Sequence, residues 1–166
     1  MFKLTSLNLN GIRSAAKKGV EAWLEKAKPD CICVQEIKAQ AADVEGAFDT
    51  LAGLSGHFHY AEKKGYSGTG VYSREKPRSV TTGFGNAEFD AEGRCVQVDF
   101  EKLTMISLYC PSGSSSDDRQ QAKFRFMDAF MPHLLSLKKS GREVVICGDW
   151  NIAHKEIDLK NWKSNQ

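Results

Sequence analysis

An apolar run near the C-terminus and the polar residues that follow it constrain the fold most. Residues 144–151 have the sequence VVICGDWN, in which the β-branched half predicts a buried strand. The strand delivers Asp149 at its carboxyl end. In extended backbone, Asp149 and Asn151 would point to the same side and form a candidate site for a metal ion or a phosphate. The alternative is an ordinary Asp-Asn turn after a core strand, and on this segment alone the turn is the simpler interpretation.

The size and charge of the chain set broad limits. The 166 residues are enough for one domain, residues 1–166, with a real hydrophobic core. A net charge of +2 does not by itself indicate a nucleic-acid partner, so a phosphate-binding surface must be a local concentration of Lys and Arg. We find no secretory segment and no apolar run of membrane-spanning length, and therefore expect no membrane association.

The cysteines indicate a compartment. There are five of them, scattered over apolar, strand-like segments at positions 31, 33, 95, 110 and 147. An odd, scattered set favours reduced thiols in a protein core over a disulfide framework. We therefore expect a cytoplasmic protein of the bacterial type, without a targeting signal.

The order of predicted elements indicates a mixed architecture. Some predicted strands are separated by helices and others by hairpin turns, which favours an α/β (α+β) fold over a plain doubly wound sheet. Strands are predicted at residues 2–9, 31–35, 57–62, 69–74, 79–84, 94–100, 103–109 and 143–147. Helices are predicted at residues 14–27 and 41–54, and from residue 117 or 118 to residue 141.

Polar side chains lie at or just after the ends of four of these strands. Carboxylate and carboxamide oxygens at one sheet edge are the donors that Mg²⁺ or Mn²⁺ prefers, usually with water and substrate phosphate. Each residue alone has an ordinary explanation, such as a surface ion pair or a turn, but their joint occurrence at strand ends favours a site. The residues are Asn8, Asn10, Glu36, Lys38, Tyr109, Asp149 and Asn151.

Six short motifs share this order along the chain. They are NLNGIR at 8–13, the Asp30 to Lys38 segment with its Gln-Glu-x-Lys, GYSGTG at 65–70, EGR at 92–94, YCP at 109–111 and GDWNIAHKEID at 148–158. Together they resemble the exonuclease III family of apurinic/apyrimidinic endonucleases, within the wider endonuclease/exonuclease/phosphatase superfamily. One such motif is weak evidence, whereas six in register are specific.

The resemblance implies a four-layered α/β sandwich of the DNase I-like type, in which two mixed β-sheets pack face to face. It also implies that the chain stops about two thirds of the way through the family's usual extent, so that the C-terminal part is missing. The missing part would carry a histidine expected to act as the base. We therefore expect the 166-residue piece alone to be poorly active and prone to association, and the full-length protein to be a monomer.

The resemblance further assigns roles to the strand-end residues. Glu36 would be the main Mg²⁺ ligand, with Asn8 beside it. Asp149 would handle the proton of the attacking water or the leaving group and also touch the metal. Asn151 would hold the scissile phosphate or that water and lie among the metal ligands, while Tyr109 would bond or orient the phosphate.

Five other residues take supporting or DNA-facing positions in the resemblance. Asn10 and Lys38 would support the ligands, and Asn10 stands where relatives carry Asp. Tyr66 and Arg94 would support the site or face DNA. Ser112 would contact a DNA phosphate at a position where some relatives have Asn.

These inferences converge on a function. The resemblance implies a Mg²⁺-dependent DNA repair nuclease, with Mn²⁺ as an alternative ion, that hydrolyses the phosphodiester 5′ to abasic sites. A 3′–5′ exonuclease or 3′-phosphodiesterase activity would accompany it, on double-stranded DNA with abasic sites or damaged 3′ ends. Two alternatives stay open: a superfamily phosphodiesterase acting on nucleotide or lipid phosphates, and a catalytically inactive DNA-binding piece.

Overall fold

Two mixed β-sheets packed face to face form the centre of the computed structural model, which describes residues 1–164. The first sheet has the spatial order β1 (Leu4–Asn8), β2 (Cys31–Gln35), β5 (Thr69–Ser73), β4 (Leu54–His59) and β3 (Thr50–Leu51). The second has the order β6 (Ser79–Thr82), β7 (Cys95–Asp99), β8 (Leu103–Tyr109) and β9 (Glu143–Asp149). The predicted α/β class with two packed mixed sheets is confirmed.

Helices cover the outer faces of the two sheets. They are α1 (Ile12–Lys17), α2 (Val20–Ala27), α3 (Ala41–Val44), α4 (Ala87–Asp90) and α5 (Asp117–Lys139), followed by two 3-10 turns at Glu156–Asp158 and Trp162–Ser164. The Ser116 side chain caps α5 by accepting a hydrogen bond from the Arg119 backbone, which explains why this helix begins where the sequence predicts. Within residues 1–164 no helix has both the length and the apolar character needed to cross a membrane.

The core consists of three apolar layers. Strand β2 shows why: its alternate side chains face opposite ways, so Ile32 and Val34 pack under the helices while Cys31 and Cys33 pack between the sheets. Every residue of β2 is buried, as expected for a strand that is covered on both faces. On the far side, Phe126 and Phe130 of α5 pack on the outer face of the second sheet.

Two of the predicted helices do not have the predicted length. The helix predicted at 14–27 is divided into α1 and α2, because Gly19 takes a left-handed conformation with φ of 81°. The helix predicted at 41–54 ends after one turn and gives way to the β3–β4 hairpin. Ala52 and Gly53 form the two-residue loop of this hairpin and both have positive φ, as a tight type I′ turn requires.

Each sheet contains one parallel strand pair, and these pairs align the strand ends. In the first sheet Asn8 lies opposite Gln35, and in the second Tyr109 lies opposite Asp149. The two sheets are tied together close to this edge, because the buried Gln35 side chain donates to Ser107 Oγ at 3.1 Å. The carboxyl ends of β1, β2, β8 and β9 therefore meet at one edge of the sandwich.

Asp99, at the end of β7, ties three strands together. Its carboxylate accepts hydrogen bonds from Ser79 Oγ at 3.0 Å and from Thr104 Oγ1 at 2.6 Å. Burial alone raises the pKa of Asp99, but hydrogen bonds from Thr104, Gln97 and Ser79 and the charge of Arg142 bring the pKa below its ordinary value. A carboxyl group with a lowered pKa stabilises the fold above its unfolded pKa, and this contribution is lost as the pH falls through the folded value.

We predict that Asp99→Asn lowers the free energy of unfolding by about 1–3 kcal/mol at neutral pH, because charged hydrogen bonds are lost. The difference from the wild type should begin to shrink below about pH 4, the ordinary pKa of an unfolded Asp, and should vanish once the pH has fallen through the lowered pKa of folded Asp99. Denaturant unfolding of both proteins from neutral pH to below about pH 4 measures the difference in unfolding free energy. Asp128→Asn, on the exposed side of α5, is the control. A difference that stays constant with pH would show that the charge is not involved.

Apolar side chains remain exposed on one side of the sandwich. Strand β9 is the outer strand of the second sheet in the described part of the chain, and Val145 on it is 36% exposed. A helical stripe on α5 is similarly open, with exposures of 42–52% at Phe124, Met127, Met131 and Leu135. An open strand edge next to an apolar stripe favours self-association.

We therefore predict that the purified chain associates as its concentration rises. Size-exclusion chromatography followed by light scattering measures the molar mass at each concentration. The double substitution Met127→Lys and Met131→Lys should reduce this association, because it places charge in the apolar stripe. Lys138→Arg at the end of the same helix is the matched control. A monomer at every concentration would contradict the prediction.

Candidate active site

One amide nitrogen links three distant segments at the sheet edge. Asn8, the last residue of β1, donates from Nδ2 to Glu36 Oε1 at 2.8 Å and to Asp149 Oδ2 at 3.0 Å. Glu36 directly follows β2 in the first sheet, and Asp149 ends β9 in the second. The structure thus brings together the two carboxylates to which the sequence analysis assigns the central roles.

The strands β1 and β9 end in the same kind of turn. The backbone N–H of Asn10 donates to Asn8 Oδ1, and that of Asn151 donates to Asp149 Oδ1, each at 3.0 Å. Asn10 and Asn151 have φ of 44° and 49°, a left-handed conformation that Asn tolerates well. The expected extended backbone from Asp149 to Asn151 is therefore wrong: the turn forms, and it still leaves Asp149 Oδ2 facing Asn8.

The segment after β2 is held in a strained conformation. Glu36 and Lys38 have φ of 53° and 48°, which costs about 1–3 kcal/mol for each such residue. Neighbouring loops hold this backbone: the carbonyl of Glu36 accepts from Gly11 N–H at 2.7 Å, and Lys38 N–H donates to the carbonyl of Ser67 at 2.9 Å. The strain is concentrated where the sequence analysis places a ligand and its support.

Lys38 neutralises part of the negative charge at this edge. Its Nζ lies 2.7 Å from Glu36 Oε2 and donates to Asn10 Oδ1 at 2.5 Å. Burial raises the pKa of Glu36, but hydrogen bonds from Lys38 and Asn8 and the charge of Lys38 bring the pKa below its ordinary value. Glu36 is therefore ionised well below neutral pH and can serve as a ligand for a cation.

Tyr109 supplies a proton donor beside this carboxylate. Its side chain is half-buried, and its hydroxyl interacts with Glu36. Burial, followed by the negative charge of Glu36, raises the pKa of Tyr109 far above its ordinary value. The phenol consequently stays protonated and can donate a hydrogen bond to an anionic ligand.

Asn151 is held by two contacts, neither of which uses its side-chain oxygen. Its Nδ2 donates to the carbonyl of Cys110 at 2.9 Å, and its own carbonyl accepts from Lys123 Nζ at 2.5 Å. An open cavity of about 770 Å³ lies beside it and is lined by Asp149, Lys123 and Ser112, among others. Ser112 is thus next to the site, where its Oγ lies 3.0 Å from Ser114 Oγ.

Tyr66 and Arg94 contact each other but differ in how much of their surface is exposed. Tyr66 is half-buried on the loop before β5, and its hydroxyl accepts from Arg94 Nη2 at 2.9 Å. The Arg94 side chain is 1% exposed, so its predicted direct contact with DNA is wrong, because no surface of it is left for a ligand. Only the supporting alternative for Arg94 remains.

The donors at this edge suit a hard divalent cation. Residues 1–164 contain no cluster of three or more His, Cys, Asp or Glu residues able to hold a metal. A cation would instead be held by the carboxylates of Glu36 and Asp149, with the Asn151 oxygen and water, and Mg²⁺ is commonly bound by one or two carboxylates in this way. Asn8, expected to be a ligand, presents its nitrogen rather than its oxygen, because the oxygen accepts the turn hydrogen bond from Asn10.

Two basic residues of α5 lie at the site although they were not predicted to do so. Lys123 contacts the Asn151 carbonyl, and Arg119 Nη2 donates to the Tyr66 hydroxyl at 2.9 Å. Their spacing of four residues, which places both on one face of a helix, was an available signal. The need for glycine at position 148 was not predicted either. A Cβ there would lie 2.1 Å from the carbonyl oxygen of Leu108, so a side chain would push the end of β9 away.

Comparison with known proteins agrees with this geometry. The model of the endonuclease/exonuclease/phosphatase family matches residues 5–166. The chain is 36% identical to an exodeoxyribonuclease of Bacillus subtilis over 166 residues, which are 99% of this chain and 64% of that protein. It is 34% identical to a DNA-(apurinic or apyrimidinic site) endonuclease of Dictyostelium discoideum, covering 99% of this chain and 46% of that protein.

A solved structure agrees as well. The fold matches that of an AP endonuclease from Archaeoglobus fulgidus with a TM-score of 0.82 and 29% identity, over 97% of this chain and 62% of that one. The chain therefore spans less than two thirds of the length of the proteins named here. The resemblance drawn from the six motifs is confirmed, and the chain belongs to the endonuclease/exonuclease/phosphatase family.

Proposed function

We propose that this chain carries the catalytic edge of a Mg²⁺-dependent DNA repair nuclease that hydrolyses the phosphodiester 5′ to abasic sites. A 3′–5′ exonuclease or 3′-phosphodiesterase activity is part of the proposal, with Mn²⁺ as an alternative ion. The observation that carries it is the convergence of Glu36 and Asp149 on the Asn8 amide. The names of the relatives, exodeoxyribonuclease and AP endonuclease, support the choice of DNA as substrate.

The residues at the edge supply what phosphodiester hydrolysis needs. A bound divalent cation neutralises charge on the phosphate and lowers the pKa of water. Glu36, kept ionised by Lys38 and Asn8, provides the fixed negative charge that holds such a cation. Asp149, fixed through Oδ1 by the turn, takes the proton of the attacking water or passes one to the leaving oxygen.

Two further side chains orient the substrate in this proposal. Tyr109 stays protonated and donates a hydrogen bond to a non-bridging phosphate oxygen. The Asn151 oxygen positions the phosphate or the attacking water, because its nitrogen is held by the Cys110 carbonyl.

DNA would reach the site along basic residues on its rim. Arg13, Lys17 and Lys38 line a recess of about 400 Å³ beside the candidate site. Such side chains contact phosphates and fix register without selecting a base sequence, which suits a nuclease that acts where the base is missing. The proposed partner is therefore double-stranded DNA with abasic sites or damaged 3′ ends.

One observation favours the alternative of an inactive DNA-binding piece. Among the histidines, His59 Nδ1 lies 2.9 Å from the Cys95 carbonyl, and His133 packs against Phe84 and Phe130. Neither is placed to act on Asp149. In this alternative the chain binds DNA without cutting it, and the expected poor activity of residues 1–166 alone stays a prediction.

A cytoplasmic location completes the proposal. All five cysteines are free, and those at 31, 33, 95 and 110 are buried in the core. Core thiols of this kind suit a reducing compartment.

We predict that Glu36→Gln weakens Mn²⁺ binding by at least about tenfold, because even residues that merely support a metal ligand contribute 10–100-fold to affinity. Isothermal titration with Mn²⁺ alone measures the change and needs no DNA. Glu62→Gln, on the exposed segment after β4, is the control and should bind Mn²⁺ as the wild type does. An unchanged affinity in Glu36→Gln would remove Glu36 from the metal site.

We also predict that Asp149→Asn in the full-length protein lowers cleavage by about 10²–10⁴-fold, since it removes the proton-transfer group. DNA affinity should stay close to that of the wild type, because the basic rim is intact. The assay is a duplex with one abasic analogue in Mg²⁺, with binding followed by fluorescence anisotropy. Near-normal turnover in the variant would show that the assignment of Asp149 is wrong.

The same duplex distinguishes the functions for the unsubstituted chain. Cleavage 5′ to the lesion supports the proposed nuclease. Binding without cleavage supports the inactive DNA-binding piece. Hydrolysis of a small phosphodiester with neither binding nor cleavage of the duplex supports a different phosphodiesterase of the superfamily.

A further inference from the structure

Arg94 is one of the largest fully buried side chains of the molecule, although it is a cation. All three of its guanidinium nitrogens have partners. Nε donates to Glu92 Oε2 at 2.5 Å, Nη1 donates to the carbonyl of Tyr109 at 3.0 Å, and Nη2 donates to the hydroxyl of Tyr66 at 2.9 Å. A buried charge is expensive unless it is fully partnered, and here the partners include two of the predicted site residues.

The guanidinium also lies against both aromatic rings. Its central carbon is 4.9 Å from the centroid of the Tyr109 ring and 5.8 Å from that of Tyr66. A planar cation at these distances attracts the electron-rich ring face. Arg94 therefore fixes Tyr109 twice, through the backbone carbonyl and through the ring.

A second arginine extends this network to α5. Arg119 donates from Nη2 to the Tyr66 hydroxyl at 2.9 Å, and from Nη1 to Glu92 Oε1 at 3.3 Å. Glu92 thus accepts from both arginines, and the Tyr66 hydroxyl accepts from both as well. The loop that carries Tyr66, the end of β8 and the start of α5 are held around the Arg94 side chain.

These contacts bear on the candidate site, because the Tyr109 hydroxyl interacts with Glu36. The orientation of Tyr109 therefore depends on a residue that has no surface of its own at the site.

We propose that Arg94 is a positioning residue: it holds Tyr109 beside Glu36 and Tyr66 at the rim, so that the Tyr109 hydroxyl is oriented for a phosphate oxygen. The part that concerns hydrolysis rests on the proposed function, whereas the hold on the two tyrosines does not. Arg94 acts through Tyr109 and does not touch the substrate. Its removal should therefore have little effect once the Tyr109 hydroxyl is gone.

The first experiment observes the tyrosines directly. The chain has four tyrosines, at 60, 66, 72 and 109, so labelling with 3-fluorotyrosine gives four fluorine resonances, which Tyr→Phe variants assign. We expect Arg94→Lys and Arg94→Met to shift the resonances of Tyr66 and Tyr109 and to leave Tyr60 and Tyr72 in place. Arg125→Met is the control, because Arg125 is exposed and pairs with Glu88 on the surface.

Two results would overturn the hold on the tyrosines. One is an unshifted Tyr109 in both Arg94 variants. The other is a shift of all four resonances, which means that Arg94 serves the fold as a whole. Should Arg94→Met fail to fold, Arg94→Lys retains a buried cation but loses the planar fork, and its spectrum decides the question.

The second experiment is a double-mutant cycle on abasic-duplex cleavage with Arg94→Lys and Tyr109→Phe. We expect Arg94→Lys to lower kcat about tenfold with KM nearly unchanged, as for an interaction realised in the transition state. In the Tyr109→Phe background, Arg94→Lys should lower kcat by less than about twofold. The difference between the two backgrounds is the coupling expected for residues in contact. An equal loss of kcat in both backgrounds, or an effect of Arg94→Lys on KM alone, would contradict the proposal.

The two experiments separate the failure of the two proposals. If the unsubstituted chain does not cut abasic DNA, the proposed function of this chain fails, and the fluorine spectra alone decide whether Arg94 holds the two tyrosines. If the chain cuts and the cycle shows no coupling, the nuclease assignment stands and the positioning role of Arg94 does not.

Discussion

The hydrogen bonds from one Asn8 amide to two carboxylates are the interaction on which the site depends. Glu36 follows a strand of the first sheet and Asp149 ends a strand of the second, and two carboxylates this close repel each other when both are ionised. An amide nitrogen with two hydrogens satisfies both, at 2.8 and 3.0 Å. The sheets must be in register for this contact, and the buried hydrogen bond from Gln35 to Ser107 supplies that register nearby.

The same backbone conformation follows the strands whose side chains form this edge. The residues Asn10, Glu36 and Asn151 all take left-handed conformations just after their strands, which turns each chain sharply away from the edge. The turns leave the strand-end side chains in front and let backbone groups bond to one another. Strain at Glu36 is tolerated because neighbouring loops fix its backbone, and it supports the view that the edge is built for function.

Much of the sandwich could be predicted from local patterns. The strands at 31–35 and 103–109 and the start of the long helix at 117 are as predicted, because apolar periodicity is a local signal. The break at Gly19 and the β3–β4 hairpin were missed, because packing and turn geometry override helix propensity there. The order of the strands within each sheet depends on long-range pairing that no local pattern contains.

The candidate site was predictable in membership but not in detail. Strand-end chemistry and motif order identify Glu36 and Asp149, whereas the orientation of the Asn8 amide depends on a turn hydrogen bond. The burial of Arg94 was not predictable either, because its partners lie on three separate segments. Charged residues are buried only where such partners converge, and convergence is a tertiary property.

The proposed function requires Glu36 and Asp149 to hold one divalent cation together. The direct measurement is the anomalous difference density of a crystal of this chain soaked in Mn²⁺. We expect a peak at roughly 2.1 Å from an oxygen of Glu36, with an oxygen of Asp149 bound directly or through one water. A fully soaked crystal without a peak at this edge, or with its Mn²⁺ bound elsewhere, would show that Glu36 and Asp149 do not form the metal site.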